Sequence, residues 1–111
     1  MISEINIDQA LSALQRGDLV ILEDDATSPS LAYLIGDAAK VTAGTIVLMA
    51  QAARGVVCAA ISESRLRDLG LSQMASRNSA SAPDFAVTVE ARRGVTTGIS
   101  AADRAVTLNV L

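Results

Sequence analysis

Histidine is absent from these 111 residues. That absence removes more chemistry than any other feature of the chain. A histidine general base, a Ser-His-Asp triad and a histidine-ligated metal are all excluded within it. Tryptophan is absent too, and Tyr33 and Phe85 are the only aromatic residues. The core must therefore be built from Ala, Val, Leu and Ile, small side chains that suit helices packed closely on a sheet. The one cysteine, Cys58, excludes an internal disulfide and fits a reducing compartment. Basic residues are in the minority, with a net charge of −3 and a pI near 4.7. Without a basic patch or stacking aromatics, nucleic acid is not an expected partner, and the pairs Arg65/Arg67 and Arg92/Arg93 read as solvated faces. Long apolar runs are lacking as well. The longest are about six residues, against roughly 20 needed to cross a bilayer. The N-terminal residues show no charged-then-apolar targeting pattern. The chain reads as soluble and cytoplasmic, with no membrane partner.

Half of the residues are hydrophobic, which suits one small domain over 1–111. Asn6 and Gln9 form a capping box, and Ile7, Ala10, Leu11 and Leu14 follow on one helical face until Gly17. Residues 19–22 open a strand that runs into Glu23, Asp24 and Asp25 and then the turn-prone 27–30; residues 31–39 predict a second strand. Thr42 caps a helix whose buried stripe is Ile46, Met49, Ala50 and Ala53, ending at Gly55. Residues 56–61 are apolar without alternation, the pattern of a central strand covered on both faces. Ser62 starts a short helix with Leu66 and Leu69, closed by Gly70. Residues 75–83 read as a loop, 85–90 as an alternating strand and 92–98 as a Gly- and Thr-rich loop. Ser100 and Asp103 form a second capping box for a final helix reaching Leu108. The order predicts an α/β or α+β domain with a mixed sheet flanked by helices. It finishes on a helix with no closing strand, so the expected fold is incomplete.

Three segments bear on chemistry. Glu23, Asp24 and Asp25 end a strand at a loop, a common site for reactive groups. Adjacent strand residues point to opposite faces, so at most two of these carboxylates converge. A solvated acidic loop and a weak magnesium site are the two readings. Cys58 sits in an apolar strand and reads as a buried, inert thiol. Arg54 reads as a cation facing a helix C-terminus. In 94–98, Thr96 and Thr97 lie between two glycines just before a helix N-terminus. Such a loop offers an anion or a polyol a cradle of free N–H groups; the alternative is an ordinary loop leading to a Ser-capped helix.

The run Gly94-Val95-Thr96-Thr97-Gly98-Ile99-Ser100-Ala101-Ala102-Asp103-Arg104 resembles, at every position, a motif of the 3,4-dihydroxy-2-butanone 4-phosphate synthases. Met49-Ala50 and Ala53-Arg54-Gly55-Val56-Val57-Cys58 resemble that family's helix-to-strand segment ending in an active-site cysteine. Leu66, Leu69-Gly70-Leu71, Met74, Asn78-Ser79 and the segment from Phe85 to Ala91 resemble the family's next stretch, its loop and its next strand, and Ala10-Leu11, Gly17 and Val20 resemble its start. The resemblance covers nearly the whole chain. It implies a magnesium-dependent lyase of riboflavin biosynthesis that converts D-ribulose 5-phosphate to formate and 3,4-dihydroxy-2-butanone 4-phosphate and works as a homodimer. On that resemblance Thr96, Thr97, Asp103 and Arg104 are candidate substrate-binding residues, and Asp24, Asp25 and Cys58 are weak catalytic candidates.

The departures concern two motifs. The family carries an Asp-Arg-Glu-Asn-Glu-Gly-Asp run after the first strand, for magnesium and substrate. Here that place falls on 27–33, with Ser28 for the Arg, Pro29 for a metal-ligand Glu, and Leu31 and Tyr33 for the later Glu and Asp. Hard cations need oxygen ligands that Pro, Leu and Tyr do not supply. The family's Arg-x-Gly-His-Thr motif is missing, as the lack of histidine requires. The expectation is a synthase-like domain, the front half of the fold, catalytically impaired or silent and holding no magnesium. It either dimerises or pairs with a related, complete synthase.

Overall fold

The computed structural model describes residues 3–26, 28–74 and 85–111. The predicted loop at 75–83, with Asn78 and Ser79, and Thr27 lie outside the described residues.

The first helix, α1, spans Ile7–Arg16. Both halves of the predicted capping box are present: Gln9 N–H donates to Asn6 Oδ1 at 2.9 Å, and Asn6 N–H to Gln9 Oε1 at 3.0 Å. Gly17 ends the helix at φ 91°, a left-handed conformation in which its N–H reaches back to Leu14 O. Lys40 Nζ donates to Gln15 O and so satisfies another terminal carbonyl. The face toward the molecule is Ala10, Ala13 and Leu14, whereas the expected Ile7 and Leu11 are exposed.

Strands β1 (Val20–Asp24) and β2 (Leu31–Ile35) form an antiparallel pair in which Leu22 opposes Tyr33 and Asp24 opposes Leu31. The period of two puts Leu22 and Asp24 on one face with Tyr33 and Leu31, and Glu23 on the other. The second strand stops at Ile35, short of the predicted Ala39, because Asp37 caps a single 3-10 turn at Ala38–Lys40.

Helix α2 (Ala43–Ala52) starts from Thr42, whose hydroxyl accepts from Thr45 N–H at 3.2 Å. The turn that leaves it is made at Arg54, at φ 54°, rather than at the predicted Gly55. Of the expected stripe, Ile46 is fully buried and Met49 half-buried, while Ala50 and Ala53 are exposed. A short helix, α3 (Glu63–Asp68), follows Ser62, and the last helix, α4, runs over Ala101–Val110.

The core is the α2–α4 contact. Val41, Ile46 and Ala105 are buried there, with Val57, Ala101 and Leu108 packed against them. Burying one side chain the size of Ile46 stabilises by about 1.5–3 kcal/mol. Asn109 ties α4 to the 3-10 turn by donating to Ala38 O at 2.7 Å and Val41 O at 3.2 Å. Arg65 of α3 donates to Val110 O and Leu111 O at the end of α4, so it is not merely a solvated charge.

The architecture is α+β, as expected, but the sheet holds only two strands among the described residues. The predicted central strand at 56–61 joins no ladder among the described residues. Val57, Ala59 and Ile61 are half-buried while Val56, Cys58 and Ala60 are exposed, which is the alternation of a strand covered on one face only. The predicted strand at 85–90 makes one antiparallel bridge, Gln73 to Ala86, with Met74 N–H donating to Phe85 O and Val87 N–H to Ser72 O. Apolar composition marks both segments as strands, but a strand exists only where a partner supplies its hydrogen bonds. Among the described residues, no helix is long and apolar enough to cross a membrane.

Candidate functional site

The loop 94–98 and the start of α4 form one tightly bonded unit. Ser100 caps the helix by accepting from Asp103 N–H at 3.0 Å. The Asp103 side chain does not return to Ser100, as a capping box would require. It turns into the loop instead, where Asp103 Oδ2 accepts from Thr96 Oγ1 at 2.8 Å, Thr96 N–H at 3.1 Å and Gly98 N–H at 3.0 Å. Asp103 is 6% exposed. The Thr96 hydroxyl holds its carboxyl below the usual carboxylate range; burial opposes this, and the amides of Thr96, Gly98 and Thr97 add to the lowering. The loop amides that the sequence suggested for a ligand are thus already directed at an internal anion, the chain's own carboxylate.

Gly98 completes the unit at φ 76°. A side chain there would overlap the carboxylate of Glu90, which lies across it. Below the clamp, Thr107 Oγ1 donates to Asp103 O at 3.1 Å and accepts from Ala91 N–H at 3.0 Å. This joins α4 to the segment that leads into the loop. Arg104 Nε donates to Ile99 O at 2.8 Å. Of the four candidate substrate-binding residues, Thr96, Asp103 and Arg104 are therefore bonded inside the unit. Thr97 is exposed, and its hydroxyl has no hydrogen-bond partner among the described residues.

The weak catalytic candidates lie apart from this unit. Asp24 closes β1 and its Oδ1 accepts from Ala26 N–H at 3.1 Å; Asp25 lies in the turn beyond. Cys58 is exposed, which corrects the expectation of a buried thiol: it stands on the uncovered face of the 56–61 segment, and its Sγ lies 3.8 Å from Val56 O. Arg54 is exposed as well. Leu31 and Tyr33, at positions where the resemblance expects carboxylates, are each 48% exposed on β2.

A magnesium ion does not fit this donor set. Among the described residues, no three His, Cys, Asp or Glu side chains are grouped to hold a metal. Glu23 and Asp24 point to opposite faces of β1, as the strand period requires.

Glu90, Thr107 and Asn109 are structural participants that pattern reading did not single out. Thr107 and Asp103 are four residues apart on one helix, and a Thr-x-Gly run five to seven residues before an Asp was the visible signal for the clamp.

Known proteins agree with this architecture. The family model of 3,4-dihydroxy-2-butanone 4-phosphate synthase matches residues 8–111. The chain belongs to the 3,4-dihydroxy-2-butanone 4-phosphate synthase family. It is 45% identical over 103 residues to the synthase of Tolumonas auensis, covering 92% of this chain and 48% of the relative. It is 41% identical over 106 residues to that of Agrobacterium fabrum, covering 95% and 50%. Among solved structures, a synthase in complex with two magnesium ions superposes with a TM-score of 0.85 at 31% identity, over 96% of this chain and 50% of the other. A two-domain synthase from A. baumannii gives 0.83 at 35% identity, over 94% and 31%. The chain spans about half the length of the curated relatives it matches.

Proposed function

We propose that this chain is a catalytically silent, cytoplasmic member of the synthase family. It keeps the scaffold of the enzyme that makes 3,4-dihydroxy-2-butanone 4-phosphate and formate from D-ribulose 5-phosphate, and it binds no magnesium of its own. One observation carries the reading: the Asp103 clamp of the 94–98 loop is intact, while the place of the acidic run holds Ser28, Pro29, Leu31 and Tyr33. Deprotonating a ketose phosphate and holding the resulting oxyanion need a base and an electrophile. That no group of three metal-capable side chains forms among the described residues supports the loss of the electrophile. Loss of carboxylates from that place beside a retained Asp103 clamp supports relaxed activity rather than relaxed folding.

The second reading is a non-catalytic partner or regulatory subunit of a related synthase. The uncovered apolar segment at 56–61 favours it, because an open strand edge invites pairing.

The test is formate release from ribulose 5-phosphate and magnesium by the purified chain, with an Asp24→Asn, Asp25→Asn double variant as control. No formate above the control is expected. Release above the control would refute silence and give those two carboxylates a catalytic part.

A further inference from the structure

Asp103 is held more firmly than a helix cap needs. The start of α4 is already capped by Ser100, which accepts from Asp103 N–H at 3.0 Å. The Asp103 side chain is free of that duty and gives a single oxygen, Oδ2, to the loop. Thr96 Oγ1 donates to it at 2.8 Å, Thr96 N–H at 3.1 Å and Gly98 N–H at 3.0 Å. Loop N–H groups that converge on one point make a concavity for an anion, built here by the loop and not by the helix terminus. Gly98, left-handed at φ 76°, can turn its N–H to the same oxygen as Thr96. The carboxylate in that concavity is 6% exposed, and the Thr96 hydroxyl still holds it below its usual range against burial. The donors therefore favour a charged occupant by more than desolvation disfavours it.

We propose that the 94–98 loop is a self-occupied carboxylate site: Asp103 is its resident ligand, its contact keeps outside anions away, and a free small carboxylate enters once that side chain is shortened. The entering ion must supply one carboxylate oxygen to three donors, on a group no larger than the space left behind. Asp103→Ala keeps Cβ and removes only the carboxyl group, which leaves room for formate. Asp103→Gly removes Cβ as well, which leaves room for acetate. Without an anion, the Thr96 hydroxyl and the amides of Thr96 and Gly98 lose their common acceptor, and orphaned donors in a part-buried site are costly. Binding of the free ion is thereby coupled to folding. In the natural chain the tethered carboxylate fills the site without the entropic cost of capturing a free ion. The Glu90 carboxylate, which lies across Gly98, adds a like charge against any ion that approaches. Thr96 and Asp103 thus lock the loop to α4 and are not open to a substrate, whether or not the chain is catalytically silent.

The full chain and its Asp103→Ala and Asp103→Gly variants are melted at neutral pH in sodium formate, acetate or chloride of equal ionic strength. In chloride both variants are expected to melt below the natural chain. Formate should stabilise Asp103→Ala in a saturable way, and acetate should do so less. Acetate should stabilise Asp103→Gly. At ten times its dissociation constant the matching ion raises the folding equilibrium constant about elevenfold, which lifts Tm by about 6 °C. The natural chain should melt alike in all three salts. In the variants the amide resonances of Thr96 and Gly98 should move with the matching ion, which locates it in the loop. Variants that melt alike in the three salts overturn the proposal. So does a rise shared by the natural chain, which marks a general salt effect, or a stabilisation that leaves those two amides unmoved. Should a variant be unfolded in chloride, refolding by its matching ion becomes the measurement, and a chain that stays unfolded in all three salts overturns the proposal as well.

Discussion

Replacing Gly98 with alanine tests the geometry of the Asp103 clamp from its far side. Gly98 sits at φ 76°, and its N–H is one of three donors to Asp103 Oδ2. A residue with a Cβ in the left-handed region costs about 1–2 kcal/mol. The new methyl also meets Glu90: it overlaps the carboxylate and lies 3.2 Å from Glu90 Cβ. The carboxylate can swing into solvent, but Cβ can yield only if the backbone shifts or the side chain leaves its rotamer, at ~0.5–1.5 kcal/mol. The sum is about 2–3 kcal/mol. An unfolding entropy of roughly 2.1 cal/mol/K per residue gives ~0.23 kcal/mol/K for this chain. A loss of about 2.5 kcal/mol therefore lowers Tm by about 10 °C or more, since an incompletely covered chain has a smaller unfolding entropy. Thermal and urea unfolding of Gly98→Ala, Glu90→Ala and the double variant separate the terms. Removing the Glu90 carboxylate is expected to recover less than half of the loss, because the φ cost and the Cβ contact remain. A Gly98→Ala change below about 0.5 kcal/mol, or full rescue by Glu90→Ala, would refute the reasoning.

Asp103 is predicted to give the chain an acid-sensitive stability term. Its folded carboxyl is lowered, so the stabilisation is fully present above the unfolded value near ~3.9 and is lost as pH falls through the lowered folded value. Urea midpoints measured from pH 6 downward should show the gap between wild type and Asp103→Asn narrowing below about pH 4; a constant gap refutes the clamp as an ionic one. Ile46→Ala, at the one fully buried large side chain among the described residues, should cost about 2–5 kcal/mol out of a total of roughly 5–15. Urea unfolding checks it, and a cost below about 1 kcal/mol would displace the core from the α2–α4 contact. Cys58 is exposed, so a thiol reagent should modify the folded chain at nearly the rate of the urea-unfolded chain, and protection of about tenfold or more would bury it again.

Local rules written in the sequence decided the helix starts. Asn6, Thr42, Ser62 and Ser100 each accept from the backbone three residues on, as their side-chain chemistry predicts. Family membership was legible too, because the 94–104 run and its neighbours are spelled out residue by residue. The sequence also places Ser28, Pro29, Leu31 and Tyr33 where the resemblance expects the acidic run. Other features depend on atoms distant along the chain. Asp103 could have capped its own helix or faced a ligand; only the folded loop turned it toward Thr96 and Gly98. The apolar run at 56–61 announces a strand, but a strand is a relation between two segments, and within this chain the second is lacking among the described residues. Cys58 follows from the same cause: composition predicted burial, and the uncovered face left it in solvent. Residue types and short spacings determined the caps and the family because those depend on neighbours a few positions away. Tertiary structure alone decided what is buried and what is paired, because burial and pairing depend on which surfaces the chain has available to meet.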